Sequence, residues 1–267
     1  MSDGTRSQSP RSSLSVTRSV LYALVLREAV TRISLERGAW IWLLLEPGEH
    51  VVFLMLWHGL IQHHLIPGIN APLFIGVGVL SFFMMRSVAT RGMDAISANM
   101  ALFSYRQIKA IDTVLARAFL EGFLYLLICV LLIAGCGLFG VDISMKDPLR
   151  VLFGFFMLWS LGLGLALTFS ACAKLVPEVG QIVKMSFGPI YYMSATLYPS
   201  SWIPASVRPL FFMNPIVSGV EMIRAGFFEA YHEPDLVSPA YLGICSLVLV
   251  VSGLFLHARF GRKLVER

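Results

Sequence analysis

The sequence predicts an all-α membrane protein: six transmembrane helices, an N-terminal amphipathic helix lying in the interface, and a re-entrant segment between spans five and six. Three observations carry this. First, residues 50–85, 122–141, 151–173, 185–207 and 236–258 contain no Asp, Glu, Lys or Arg. At about 1.5 Å per helical residue, roughly 20 apolar residues cross a hydrocarbon core of about 30 Å. Four of these runs are therefore one span each. The first, 36 residues long, is two spans folded at Pro67-Gly68-Ile69-Asn70-Ala71-Pro72. Second, a chain that is 57% hydrophobic and 14% charged, with mean hydropathy +0.74, has too little polar surface to cover a soluble domain of its size. Third, 17 of the 21 basic residues fall on one side of a six-span arrangement, leaving Lys146, Arg150, Arg208 and Arg224 on the other. By the positive-inside rule both termini are cytoplasmic.

Residues 1–16 are rich in Ser and Arg, carry no cleavage site, and read as a disordered cytoplasmic tail. In residues 17–37, Tyr22, Val25, Leu26, Ala29, Val30 and Ile33 recur at helical spacing opposite Arg27, Glu28, Thr31 and Ser34. This amphipathic helix serves either as a surface anchor or as a docking element. Residues 38–267 form the six-span domain. Trp40 and Trp42 suit the headgroup belt before span one, and Pro47 favours a break or a first helical turn. Between spans two and three, residues 86–112 mix apolar and charged types and predict a helical cytoplasmic hairpin. After span five, the outer segment 199–237 contains an uncharged 12-mer, residues 209–220, too short to span and therefore interfacial or re-entrant.

The basic balance reads as topology and attraction to lipid, with no sign of nucleic-acid binding. Cys129, Cys136, Cys172 and Cys245 lie in or beside spans without ligand spacing, and Cys129 and Cys136, roughly 10 Å apart on one helix, cannot bridge. His58, His63 and His64 do not share a helix face, so no metal site is expected. The chain has no Gly-Lys dipeptide and hence no phosphate-cradling loop; HExxH and GxSxG are also missing. The chain is therefore expected to be no enzyme and to hold no cofactor of its own.

Three segments carry a family likeness: Leu43-Leu44-Leu45-Glu46-Pro47, Tyr105-Arg106-Gln107-Ile108-Lys109-Ala110-Ile111-Asp112-Thr113, and residues 214–228, beginning Asn214-Pro215-Ile216 and ending Gly226-Phe227-Phe228. On these the chain resembles the membrane subunits of type 2 ABC exporters, and among them the permeases that export capsular polysaccharide. The family usually has Pro where this chain has Ala110. The resemblance implies a homodimer in the bacterial inner membrane, paired with a separate nucleotide-binding subunit that binds ATP and Mg. It also implies a periplasmic adaptor, an outer-membrane channel, and a lipid-linked, usually anionic polysaccharide moved from cytoplasm to periplasm. The same machine with an O-antigen or teichoic-acid cargo is an alternative. A membrane-embedded glycolipid enzyme would need paired carboxylates or a His/Asp cluster, and a channel or scaffold would need no ATPase.

The resemblance places a coupling helix on the hairpin, making Arg91, Asp94, Tyr105, Arg106 and Lys109 candidates for ATPase contact, with Glu178 a second one. The charges among them serve equally as topology signals. Arg86, Lys174 and Lys184 are placed to draw an anionic cargo to the entrance. Trp57, Tyr191, Tyr192, Tyr198 and Trp202 are suited either to stack on sugars along a path or to anchor at an interface. Arg117 and Glu121, four apart, are expected to pair, as are Glu221 and Arg224, three apart. Family likeness puts a lid over the exit, which makes Asn214, Pro215, Glu221 and Arg224 gating candidates. Gly76, Gly78, Gly162 and Gly164 are expected to permit close helix packing.

Overall fold

A computed structural model describes residues 13–34, 48–57, 68–105 and 107–266. The expectations for residues 1–12, Trp40, Trp42, Pro47, the three histidines after Trp57, and Arg106 lie outside these residues. The described secondary structure is helical throughout, and four helices are long and apolar enough to cross a membrane.

Helix α1 (Ser13–Ser34) begins four residues earlier than expected. It lies against the start of α5 with Leu24 buried, while Tyr22, Leu26 and Val30, at i, i+4 and i+8, stay exposed as one apolar stripe. Helix α2 (Gly48–Trp57) packs Val51 and Met55 inward. Helix α3 (Ala71–Met93) opens on an Asn70 side chain that accepts from the Leu73 N–H at 3.0 Å, with Pro72 in the first turn, where a missing N–H costs nothing. It is the centre of the bundle: 78% of its apolar window is buried, against 17% for α10.

The hairpin is shorter than the sequence indicates. Helix α3 runs on to Met93, so Arg86 and Arg91 belong to its last two turns. The connection is helix α4 (Ala95–Ala98) and a 3₁₀ turn (Met100–Ser104) before α5 (Ala110–Leu138). Ala110 is the first residue of α5, the position where Pro is tolerated, so the departure from the family's Pro leaves the helix start intact.

Asp147 caps α6 (Pro148–Leu175), accepting from the Arg150 N–H at 3.0 Å. The helix found where span five is expected is displaced from the charge-free run and is not among the four long enough to cross. Helix α7 (Pro177–Met193) starts at Pro177 and takes Glu178 and Lys184 into its first half. Its 17 residues end at Met193, well before residue 207, and Pro199 and Pro204 disfavour helix at the residues before them in the segment that follows. The chain then passes through Ala195, whose φ of 52° is left-handed, and a 3₁₀ turn (Ser200–Trp202). The uncharged 12-mer is also divided: α8 (Arg208–Phe212) and α9 (Pro215–Phe227) meet at Asn214, whose Oδ1 accepts from the Ile216 N–H. Every residue of α9 from Ile216 to Phe227 is buried.

Helix α10 (Pro239–Val265) lies along α6. A Cβ on Gly164 would stand 2.7 Å from the Leu249 Cβ, and one on Gly253 2.5 Å from the Leu167 Cβ, so both glycines are needed for this approach. Thr168 Oγ1 donates to the Leu249 carbonyl across the seam at 3.1 Å. Gly76 faces the Met55 sulfur and Gly162 the Met85 carbonyl, as close packing requires. Gly78 instead makes room for a side chain, Arg224. The four cysteines are free and partly buried.

Candidate functional site

Two polar centres occupy an otherwise apolar bundle. At one end, Arg224 on α9 is fully buried. Its Nη1 donates to the carbonyls of Ala195 (2.7 Å) and Tyr198 (3.2 Å), and its Nη2 to that of Thr196 (2.6 Å). These three carbonyls are freed where α7 ends, and a planar five-donor guanidinium meets them as a compact ammonium would not. Its carbon lies 4.0 Å from the Phe74 ring centroid on α3. The expected pair with Glu221 is present at 3.2 Å, also fully buried, and the other Glu221 oxygen accepts from the Tyr231 hydroxyl. Burial, reinforced by that carboxylate, raises the Tyr231 phenol above its ordinary range and keeps it a donor. One side chain thus joins α9, the end of α7 and α3. Asn214 adds a second tie, its Nδ2 donating to Ser194 Oγ at 2.9 Å, while Pro215 opens α9.

Below this knot runs a row of aromatic rings. Tyr191 packs on Phe82 (centroids 5.1 Å), Phe83 (5.6 Å) and Tyr192 (5.3 Å), Tyr198 Oη donates to the Tyr192 carbonyl (2.7 Å), and the Arg86 guanidinium stands 5.5 Å over Phe83. Tyr192 is 64% exposed, the edge of the row from which a ligand is reachable. Trp57 stacks on Phe53 of its own helix and Trp202 is exposed on its 3₁₀ turn; neither joins the row among the described residues.

At the basic end, the Arg117 side chain goes to Glu28 of α1, with Nε at 2.9 Å and Nη2 at 2.8 Å, while its Nη1 donates to the Arg91 carbonyl. Glu121 accepts from Ser87 Oγ at 2.7 Å and lies 3.6 Å from Arg91. The local Arg117–Glu121 pair expected from spacing is thus replaced by contacts to α1 and α3, because α1 brings a carboxylate from 89 residues away. Arg27 donates to Asn99 Oδ1 at 2.8 Å, so α1 is tied to the connection between α3 and α5 as well as to α5. Asp94 binds Lys184 of α7 at 2.8 Å, which joins a hairpin candidate to a path candidate. Tyr105 is 64% exposed, and Lys109 and Glu178 are exposed too; Lys174 is half-buried near the end of α6. No group of three or more metal-ligating side chains occurs among the described residues.

Sequence reasoning missed Phe74, Phe82, Phe83, Thr196 and Tyr231, and read Gly78 as a packing glycine without its place beside Arg224. The Phe82-Phe83 and Tyr191-Tyr192 dyads were a usable signal for the row; the carbonyl partners of Arg224 left none.

A helical membrane bundle with a short, almost wholly buried helix at one end and a polar hairpin at the other defines a class of polytopic membrane protein with a polar centre at each end. The chain belongs to the ABC-2 type transporter family, whose model matches residues 37–228. It is homologous to capsule export permeases. It is 33% identical over 247 residues to the polysialic acid transport protein KpsM of Escherichia coli, covering 92% of this chain and 95% of that protein. It is 26% identical over 251 residues to the capsule polysaccharide export inner-membrane protein CtrC of Neisseria meningitidis, covering 94% of each. With the capsule polysaccharide export inner-membrane protein BexB of Haemophilus influenzae it shares 25% over 256 residues, covering 94% of this chain and 95% of that one.

Proposed function

We propose that this chain is the inner-membrane permease subunit of an ATP-driven exporter that moves lipid-linked capsular polysaccharide from cytoplasm to periplasm. The observation that carries this is the likeness to KpsM over 92% of the chain. ATP and Mg belong to a separate ATPase subunit. A second copy of the chain, a periplasmic adaptor, an outer-membrane channel and membrane lipids complete the set of partners.

In this reading α2, α3, α5, α6, α7 and α10 are the six spans, with both termini cytoplasmic, and α8 with α9 is the re-entrant segment. The ATPase engages the hairpin through Asp94, Tyr105, Arg106 and Lys109, with Arg91 above it and Glu178 beside it. The Asp94–Lys184 pair passes the displacement to α7, whose far end is tied by Arg224 to the re-entrant helix. Opening for a polymer then requires α7 and α9 to move together, with Asn214, Pro215, Glu221 and Arg224 as the gate. Sugars stack along Tyr191, Tyr192 and Tyr198, flanked by Trp57 and Trp202, while Arg86, Lys174 and Lys184 attract acidic cargo.

The test is co-purification of the chain with the ATPase it captures, comparing wild type with charge-reversed Arg106 and Lys109. The expected result is a stable ATPase partner, retained acidic glycan, and ATP hydrolysis that no longer responds to glycan in the reversed form. Purification without any ATPase would refute the reading.

A further inference from the structure

A groove of about 490 Å³ lies between the start of α5 and the last turns of α10. Ile108, Ile111, Leu254 and Val265 make it apolar, and Lys109 and Arg262 give it two positive charges; no carboxylate is among its lining residues. Neither cation forms an ion pair among the described residues, and the acid nearest in sequence to Lys109, Asp112, accepts from the Lys109 backbone N–H at 2.9 Å. His257 also lines the groove. The ring is buried, its Nε2 lies 3.0 Å from Ser170 Oγ and 3.2 Å from the Leu167 carbonyl, and its Nδ1 has no partner among the described residues.

The groove sits at the basic end of the bundle, beside Arg259, Arg262 and Lys263 of α10, at the level of the cytoplasmic headgroups in the proposed orientation. An apolar trough there has a hydrocarbon chain as its natural filling, and two cations without an ion pair among the described residues have a phosphate. We propose that the groove binds one anionic glycerophospholipid of the cytoplasmic leaflet, its acyl chain against Ile108, Ile111, Leu254 and Val265 and its phosphate between Lys109 and Arg262. Phosphatidylglycerol, which carries one negative phosphate and two acyl chains, is the probe. The proposal needs the cytoplasmic orientation and not the identity of the cargo.

The experiment is native mass spectrometry of the full-length chain, with any ATPase it carries, released from bilayers of equal parts phosphatidylglycerol and phosphatidylcholine. Wild type is expected to retain phosphatidylglycerol over phosphatidylcholine by about tenfold or more. Lys109→Gln with Arg262→Gln removes that preference, whereas Arg259→Gln with Lys263→Gln preserves it. Gly261→Leu keeps both cations, adds bulk where a Cβ meets nothing within 4 Å, and is expected to expel the bound lipid. Equal retention of the two lipids by wild type, an equal loss from both charge pairs, or undiminished lipid in Gly261→Leu would overturn the proposal. Because the readout is bound lipid, it is separable from ATPase capture: loss of the ATPase with lipid retained leaves the groove assignment standing.

Discussion

Gly78 and Arg224 compete for one space. A Cβ placed on Gly78 would lie 2.3 Å from Arg224 Nη2 and 2.6 Å from the Thr196 carbonyl oxygen that this nitrogen serves. The glycine on α3 is therefore what lets α9 reach across to the end of α7. Gly78→Ala is expected to destabilise the protein by about 1–3 kcal/mol, since neither a guanidinium held by three carbonyls nor the backbone can yield. Gly76→Ala meets only the flexible end of Met55 and should cost less than that. Thermal unfolding of the two purified variants checks the order.

The ion pair itself gives a second expectation. Removing Arg224 as Arg224→Met leaves a buried carboxylate and three carbonyls unserved, and a loss of about 3–5 kcal/mol follows. Tyr231→Phe strips one hydrogen bond from the same carboxylate and should lose about 1–3 kcal/mol. Arg224→Lys keeps the charge without the planar fork and should fall between wild type and Arg224→Met. Unfolding midpoints in a single detergent rank the four proteins.

At the opposite end, Glu28 and Arg117 hold α1 against α5 with side chains only 16% and 13% exposed. Reversing either charge should release α1 to proteolysis, and reversing both should restore protection. A double-mutant cycle is expected to give a coupling energy of about 0.5–3 kcal/mol. Additive effects would mean that the pair does not hold the helix.

Asp94 and Lys184 differ because both side chains are about half exposed. Breaking them by Asp94→Asn should change stability by less than about 1 kcal/mol. If the pair transmits motion from hairpin to α7, the same variant should nonetheless lower transport per ATP hydrolysed, measured in vesicles containing the ATPase.

Particular residues mark how much of this was legible in the sequence. The spans formed by α3, α5, α6 and α10 follow directly from long apolar runs, and the Glu221–Arg224 pair follows from spacing within one helix. The helix expected as span five was misplaced because the charge-free run records where charges are missing, while α7 starts at Pro177 and ends at Met193, just before the left-handed Ala195. Glu178 and Lys184, near its basic end, hid its first half. The Arg117 partner was misread for a different reason: spacing along one helix offers Glu121, but Glu28 arrives only when α1 folds onto α5. The partners of Arg224 are backbone carbonyls more than 25 residues away, and backbone groups leave no mark in a sequence.

The most direct measurement is the location of capsular polysaccharide in the source bacterium after deletion of this chain, with and without restoration of the wild-type sequence. A capsule export permease predicts polymer that is synthesised, absent from the cell surface, accumulated inside the cell, and returned to the surface on restoration. Surface polysaccharide unchanged by the deletion would contradict it.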